Sequence, residues 1–261
     1  MSRLGTCISS LKGLITIGLL FATSHVAVAD DNEWQFEAEA FLWAADIIGT
    51  DAGGGANFEI PFHDIVKHLD MVAMGRIAAR KDKLTFFTDI VHLDISTDEK
   101  GSYSMPIGPG NGIEVGKKLD VSLKSWIVQP TAAYTIFKNA ESNIDLLAGV
   151  RYIWVELDYK LKTTGQFLGK VKHTDSDQNW DGIVGVKGNM ELSDKWSIFA
   201  YADGGTGDSD YTVQGLAALN YKFDNFTGRF GYRYLKWEFE GHSLLENLTI
   251  KGPYLGALFK F

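Results

Sequence analysis

From Trp34 to Phe261 the chain repeats one pattern, in which segments of about ten or more residues alternate apolar side chains with polar or small ones. A period of two residues is the signature of a β-strand with one apolar face and excludes an amphipathic helix. In the first segment Trp34, Phe36, Ala38, Ala40 and Leu42 point one way, while Gln35, Glu37 and Glu39 point the other. Comparable segments run over 71–80, 83–95, 121–137, 144–159, 180–192, 196–204, 211–223, 226–239 and 249–261. The pattern predicts an all-β fold of about ten antiparallel strands, an even number as in single-chain bacterial barrels. Eight and twelve stay open, since a further strand near 58–62 would alter the count.

The connections alternate in length. Short polar turns fall at 80–83, 138–142, 193–195 and 224–225, and longer links at 46–70, 96–120, 160–179, 205–210 and 240–248. Short turns at one end and long loops at the other are what a transmembrane barrel gives, and a soluble sandwich has no physical reason to sort them so. In the first long link Phe62, Ile65, Val66 and Leu69 follow Pro61 at i, i+3, i+4 and i+7, which predicts one short amphipathic helix. His63, Asp64, Lys67 and His68 would need partners if this helix were buried, so it is expected to cap the rim rather than plug the mouth.

Charge placement decides which face meets lipid. One face carries Glu37, Glu39, Arg76, Asp89, Arg151, Asp181, Lys187, Asp203, Arg229, Arg233 and Lys260 near mid-strand. The other carries Val128, Ala132, Leu146, Val150, Val184, Val186, Leu219 and Phe230 and is almost uncharged. Isolated charges in a soluble core cost several kcal/mol each, on the order of the desolvation penalty, whereas a wet or mutually paired lumen tolerates them. The charged face is therefore assigned to the lumen. Arg76 and Asp89 are expected to pair across the 80–83 turn, and in the channel reading Arg151, Arg229 and Arg233 against Glu37 and Glu39 would shape selectivity. Trp34, Phe137, Trp196, Phe223, Phe226 and Phe261 mark one end of the strands; Trp43, Trp126, Trp154, Trp180, Tyr211 and Trp237 mark the other, as two interfacial girdles.

The last strand sets Leu255, Ala257, Phe259 and Phe261 on one face. Tyr254, Gly256, Phe259 and Phe261 resemble the terminal signal of Gram-negative outer-membrane barrels: a polar residue, a glycine two positions on, then hydrophobic residues alternating to a final aromatic. Tyr254 fits the polar position loosely. The general pattern is similar to small outer-membrane proteins of the OmpA-type or OmpW-type barrel. That resemblance implies escort by periplasmic chaperones, recognition of the last strand by the barrel assembly machinery, and outer-membrane lipid as the surrounding partner.

The N-terminus agrees with export. Arg3 and Lys12 precede the apolar stretch 14–22, and Ala27-Val28-Ala29 offers small residues at a cleavage spacing, so 1–29 reads as a signal peptide and 30–261 as one barrel domain. Nine apolar residues are far fewer than the roughly 20 a spanning helix needs. Cys7, the only cysteine, would leave with the signal, which excludes disulfides and thiol catalysis from the barrel. The net charge of −8 becomes −10 once Arg3 and Lys12 are removed, and nucleic acid is not an expected partner.

These features point to a structural or narrow passive-channel role, because about ten strands enclose a lumen that side chains can fill. A rim enzyme and a surface adhesin or receptor acting through 46–70 and 96–120 are the alternatives. Catalysis would draw on His92 with Asp94, or His173 with Asp175 or Asp177, but no nucleophile stands beside either set in sequence. Asp203, Asp208 and Asp210 among Gly204, Gly205 and Gly207 form a glycine-acid segment without the EF-hand spacing, and Gly53-Gly54-Gly55 lacks a following Lys-Ser/Thr. No catalytic, cofactor or metal site is expected.

Overall fold

The computed structural model describes residues 33–51, 57–106, 112–164, 169–239 and 245–261. The signal segment 1–29, with Cys7, lies outside the described residues, as do Gly53, Gly54 and Gly55. The strands are β1 (Gln35–Trp43), β2 (Asp46–Asp51), β3 (Asn57–Ile60), β4 (Leu69–Lys81), β5 (Leu84–Pro106), β6 (Gly112–Lys138), β7 (Ser142–Thr164), β8 (Gly169–Glu191), β9 (Trp196–Gly207), β10 (Ser209–Lys222), β11 (Thr227–Phe239) and β12 (Leu245–Lys260), with one helix, α1 (Phe62–Lys67).

Every pairing is antiparallel, and β12 returns to β1, so the sheet closes. The barrel has ten wall strands. β2 continues β1 along the same partner, since Trp43 faces Tyr254 and Asp46 faces Lys251. The ladder breaks between them at Ala44 and Ala45, opposite Pro253, which has no N–H to give and accepts from Ala44 N at 2.9 Å. The strand expected near 58–62 exists as β3, but it pairs only with β2 outside the wall and leaves the count at ten.

Register fixes the shape. Following partners from Phe36 through Ala79, Phe86, Ala132, Ala148, Val184, Gly204, Val213, Lys236 and Thr249 returns to Ile48, twelve residues farther along the first wall strand. Such an offset tilts the strands by about 40° and gives a narrow bore that inward side chains can fill.

Two expected loops are strands instead. β5 and β6 run to Pro106 and from Gly112, and β7 and β8 to Thr164 and from Gly169. At roughly 3.3 Å per residue these hairpins extend far past the apolar band of about 25 Å that lipid requires. Charged and glycine residues masked the period there, although Leu119, Val121 and Leu123 keep it in sequence. The link at 205–210 also shrinks, because only Asp208 separates β9 from β10.

The helix caps. Pro61 precedes it, Ile65 is its buried residue, and Val66, His63, Lys67 and His68 are exposed. Phe62 N–H donates to Asp46 Oδ1 at 2.8 Å and Ser96 N–H to His68 O at 2.9 Å, which ties the helix between β2 and the upper end of β5. The hydrogen bond from Lys67 holds the Asp64 carboxyl below its ordinary range.

Candidate functional site

Alternation along the wall strands sorts side chains as the sequence implied. Phe36, Leu42, Ile77, Phe86, Leu146, Val150, Val184, Val186, Leu219, Phe230 and Leu255 are exposed on the outside, while Glu39, Asp89, Arg151, Asp181, Asp203, Arg229 and Arg233 are buried inside. What these buried groups touch defines the site.

Arg151 is the hub. Its Nη2 donates to the Asp203 carboxylate at 2.6 Å, its Nη1 to Thr212 Oγ1 at 2.7 Å, and its Nε to Gln129 Oε1 at 3.0 Å. Gln129 Nε2 donates to the Tyr201 hydroxyl at 2.7 Å, and that hydroxyl donates to Asp203. Gln214 links the hub to a second arginine, donating from Nε2 to Asp203 at 3.0 Å and accepting from Arg233 Nη2 at 2.6 Å. Arg233 also reaches Asp89 at 3.2 Å, and Asp89 forms a two-point pair with Arg76, as the 80–83 turn predicted. One connected network thus joins β4, β5, β6, β7, β9, β10 and β11 through the middle of the lumen.

A second network lies toward the short turns. Arg229 Nη1 meets Glu39 at 2.7 Å and its Nε meets Asn220 Oδ1 at 2.9 Å, while Asn220 continues to Ser197 and Asn189 at 3.2 Å each. The Tyr254 hydroxyl donates to Glu39 at 2.9 Å. Lys187 and Asp145 form an ion pair at 3.2 Å, with Thr135 donating to Asp145 at 2.7 Å. These contacts add β1, β8 and β12. The cations Arg76, Arg151, Lys187, Arg229 and Arg233 each meet a carboxylate: Asp89 takes both Arg76 and Arg233, Asp203 takes Arg151, Asp145 takes Lys187 and Glu39 takes Arg229, while Asp181 accepts from Ser209. Such pairing is the condition under which buried charge is tolerated.

Toward the long hairpins the lumen becomes apolar. Trp43, Val91, Ile153, Leu235, Trp237 and Leu248 pack there, with the Arg233 guanidinium 4.8 Å from the Trp43 ring centre. Trp43 and Trp237 are 2% and 0% exposed, so they belong to the lumen and not to the outer girdle expected from their place near the strand ends. Trp126, Trp180 and Tyr211 do face outward at that end, and Trp34, Phe137, Trp196, Phe223 and Phe261 at the other.

Two glycines make the polar layers possible. A Cβ on Gly185 would collide with the backbone of Ala202 and Asp203, and one on Gly256 with Glu39 Oε1. In the terminal strand Tyr254 and Gly256 therefore serve the lumen, while Phe259 and Phe261 lie on the other face; Phe261 N–H donates to Phe36 O at 2.9 Å beside the barrel's closing seam.

Other expectations change with the geometry. Glu37 pairs with Lys260 at 3.2 Å on the rim and meets none of the arginines; of Glu37 and Glu39, only Glu39 has an arginine partner, Arg229. Arg151 and Arg233 take Asp203 and Asp89 instead, at 2.6 and 3.2 Å. His92 points outward, stacks on Trp126 at 4.1 Å between ring centres and lies 2.9 Å from Ser125 O; Asp94 sits 3.9 Å from Lys124. His173, Asp175 and Asp177 lie within β8 rather than a loop, and His173 pairs in register with Tyr159. Asp203 is committed to Arg151, while Asp208 Oδ2 accepts Trp180 N–H at 2.9 Å, so the glycine-acid segment does not converge on a common point. Gln129, Tyr201, Thr212, Gln214, Asn220 and Asp145 were not singled out in sequence; their inward parity was the available signal.

No protein-family model matches the sequence, and no curated protein matches it. Among solved structures the chain is similar to the translocator domain of autotransporter NalP from Neisseria meningitidis, with a TM-score of 0.45 at 13% identity over 87% of this chain and 88% of that one. It is also similar to Ail, the attachment invasion locus protein of Yersinia pestis, with a TM-score of 0.34 at 9% identity over 88% of this chain and 99% of that one. A Pseudomonas aeruginosa FadL homologue gives a TM-score of 0.30 at 9% identity over 88% and 90% of the two chains.

Proposed function

We propose that this chain is an integral outer-membrane β-barrel whose lumen is sealed and whose role is structural, holding two long hairpins above the membrane. The sealed lumen carries the reading. A solute would have to part both the Arg151 network and the Trp43–Trp237 layer, in which Arg151 and Trp237 have no solvent exposure. Open aqueous channels belong to much larger strand numbers. Planar-bilayer recordings of the refolded barrel should show no steady conductance over a wide voltage range; a stable ohmic conductance would favour the narrow channel instead.

The outward face supports the membrane placement, since apolar side chains cover it between two aromatic ends. The finer likeness to OmpA-type or OmpW-type barrels rests on Tyr254, Gly256, Phe259 and Phe261. On this reading export by the 1–29 segment, periplasmic chaperones and the barrel assembly machinery serve biogenesis. Catalysis is left out of this reading, in which His92 serves packing against the Trp126 ring and the Ser125 carbonyl.

A second reading, recognition of a surface partner, is favoured by the hairpins themselves. β5 with β6 is paired as far as Pro106 and Gly112 and β7 with β8 as far as Thr163 and Gly169, at strand lengths of 23 to 27 residues, so each hairpin offers a paired surface. Deleting the β5–β6 hairpin beyond the membrane and measuring binding to host or bacterial surfaces separates this from a purely structural role.

A further inference from the structure

We propose that the outer wall at the short-turn end seats one anionic phospholipid of the periplasmic leaflet. A cavity of about 920 Å³ opens sideways on this wall, within the roughly 300–1,000 Å³ range of small-molecule sites. Register makes it. Along one row of cross-strand partners the outward residues are Phe36, Ala79, Phe86, Ala132 and Ala148, so two aromatic ridges stand beside a floor of methyl groups. A smooth wall would have a side chain of even height in each of these places.

Inside a bilayer such a hollow is filled by hydrocarbon, because a void forfeits the dispersion contacts of its lining. The outward floor residues Ala79, Ala132 and Ala148 carry no charge, which suits acyl chains, and Glu37, which also lines the hollow, is paired with Lys260 at 3.2 Å. The head group is chosen at the end of the hollow, where the turn from Arg80 to Lys83 begins at the residue after the outward Ala79. That turn holds Arg80, Lys81 and Lys83 against Asp82, and Lys81 and Lys83 are exposed. Arg80 is turned back on the Asp82 carbonyl at 3.2 Å, which leaves the two lysines to face a phosphate. Paired cations at a leaflet surface favour anionic lipid. An acyl hollow and a cationic turn on one stripe of wall are what a single two-chain anionic lipid requires.

The test is reconstitution into vesicles of equal phosphatidylglycerol and phosphatidylcholine, gentle extraction and native mass spectrometry, with heat-modifiable gel mobility confirming insertion of each variant. Wild type should retain one phosphatidylglycerol per barrel. Ala132→Phe with Ala148→Phe should lower retention of either lipid about tenfold by filling the floor. Lys81→Glu with Lys83→Glu should keep a lipid but abolish the preference between head groups, and Leu219→Phe on another part of the wall should change nothing. Should the phenylalanine pair not insert, the lysine pair still decides through head-group preference. The proposal is overturned if wild type retains no lipid, if the phenylalanine pair retains as much as wild type, if the lysine pair keeps the preference, or if the wild-type species is a dimer lost in the phenylalanine pair, which would make a second copy the occupant.

Discussion

Arg151 and Asp203 meet at 2.6 Å inside the lumen, reaching past β8 from β7 and β9, with neither side chain open to solvent. Each is the other's main counter-charge, so their worth appears when one is removed. Breaking a buried pair from one side costs about 3–5 kcal/mol, whereas replacing both partners with apolar residues of similar volume is often neutral. Arg151→Met or Asp203→Leu alone should lower the urea midpoint of unfolding in lipid, and the double variant should recover most of the loss. Additive losses in the double variant would show that the pair is not a closed unit.

Glu39 and Gly256 give a test of the terminal strand that does not depend on assembly. A Cβ at Gly256 would fall against the Glu39 carboxylate, which is already held by Arg229 and Tyr254. Gly256→Ala should therefore destabilise the barrel by roughly 1–3 kcal/mol, the usual cost of overpacking. Shortening the acid removes the clash, so Glu39→Ala with Gly256→Ala should lose less than the sum of the two single changes. Strict additivity in a double-mutant cycle would place the cost of Gly256→Ala elsewhere.

The faces were legible in sequence because alternation alone puts Glu39, Asp89, Arg151 and Arg233 on one face, and all four are buried. The partners were not. Arg151 passes over its neighbouring strand to reach Asp203, and that choice depends on bore, tilt and side-chain reach, which no local pattern records. Trp43 and Trp237 show a legible signal overridden by a weaker one: Trp43 shares parity with Glu37 and Glu39, and Trp237 with Arg229 and Arg233, yet their position near strand ends suggested a girdle. The length of the hairpins was hidden for the opposite reason, since polar residues on paired strands beyond the bilayer look like loop.

The tryptophan placement is directly measurable. With one tryptophan retained at a time, brominated acyl chains should quench Trp180, which stands exposed on the outer wall, and leave Trp43 and Trp237 nearly unquenched inside the lumen. Equal quenching of Trp43 and Trp180 would return Trp43 to the lipid face and undo the apolar layer of the sealed lumen.

The hairpin beyond the membrane should be separable from the barrel. Thr97 and Val121 are register partners on β5 and β6, so removing 98–120 and joining these two by Asn-Gly leaves a pair of strands closed by a two-residue turn that suits their twist. The polar networks lie below this cut, and residues such as Asp89 and Gln129 keep their neighbours. The shortened protein is therefore expected to retain heat-modifiable mobility and a urea midpoint close to that of the full chain. Loss of the folded band would mean that the extended hairpin contributes to closing the barrel, and its role as a detachable platform would fail with it.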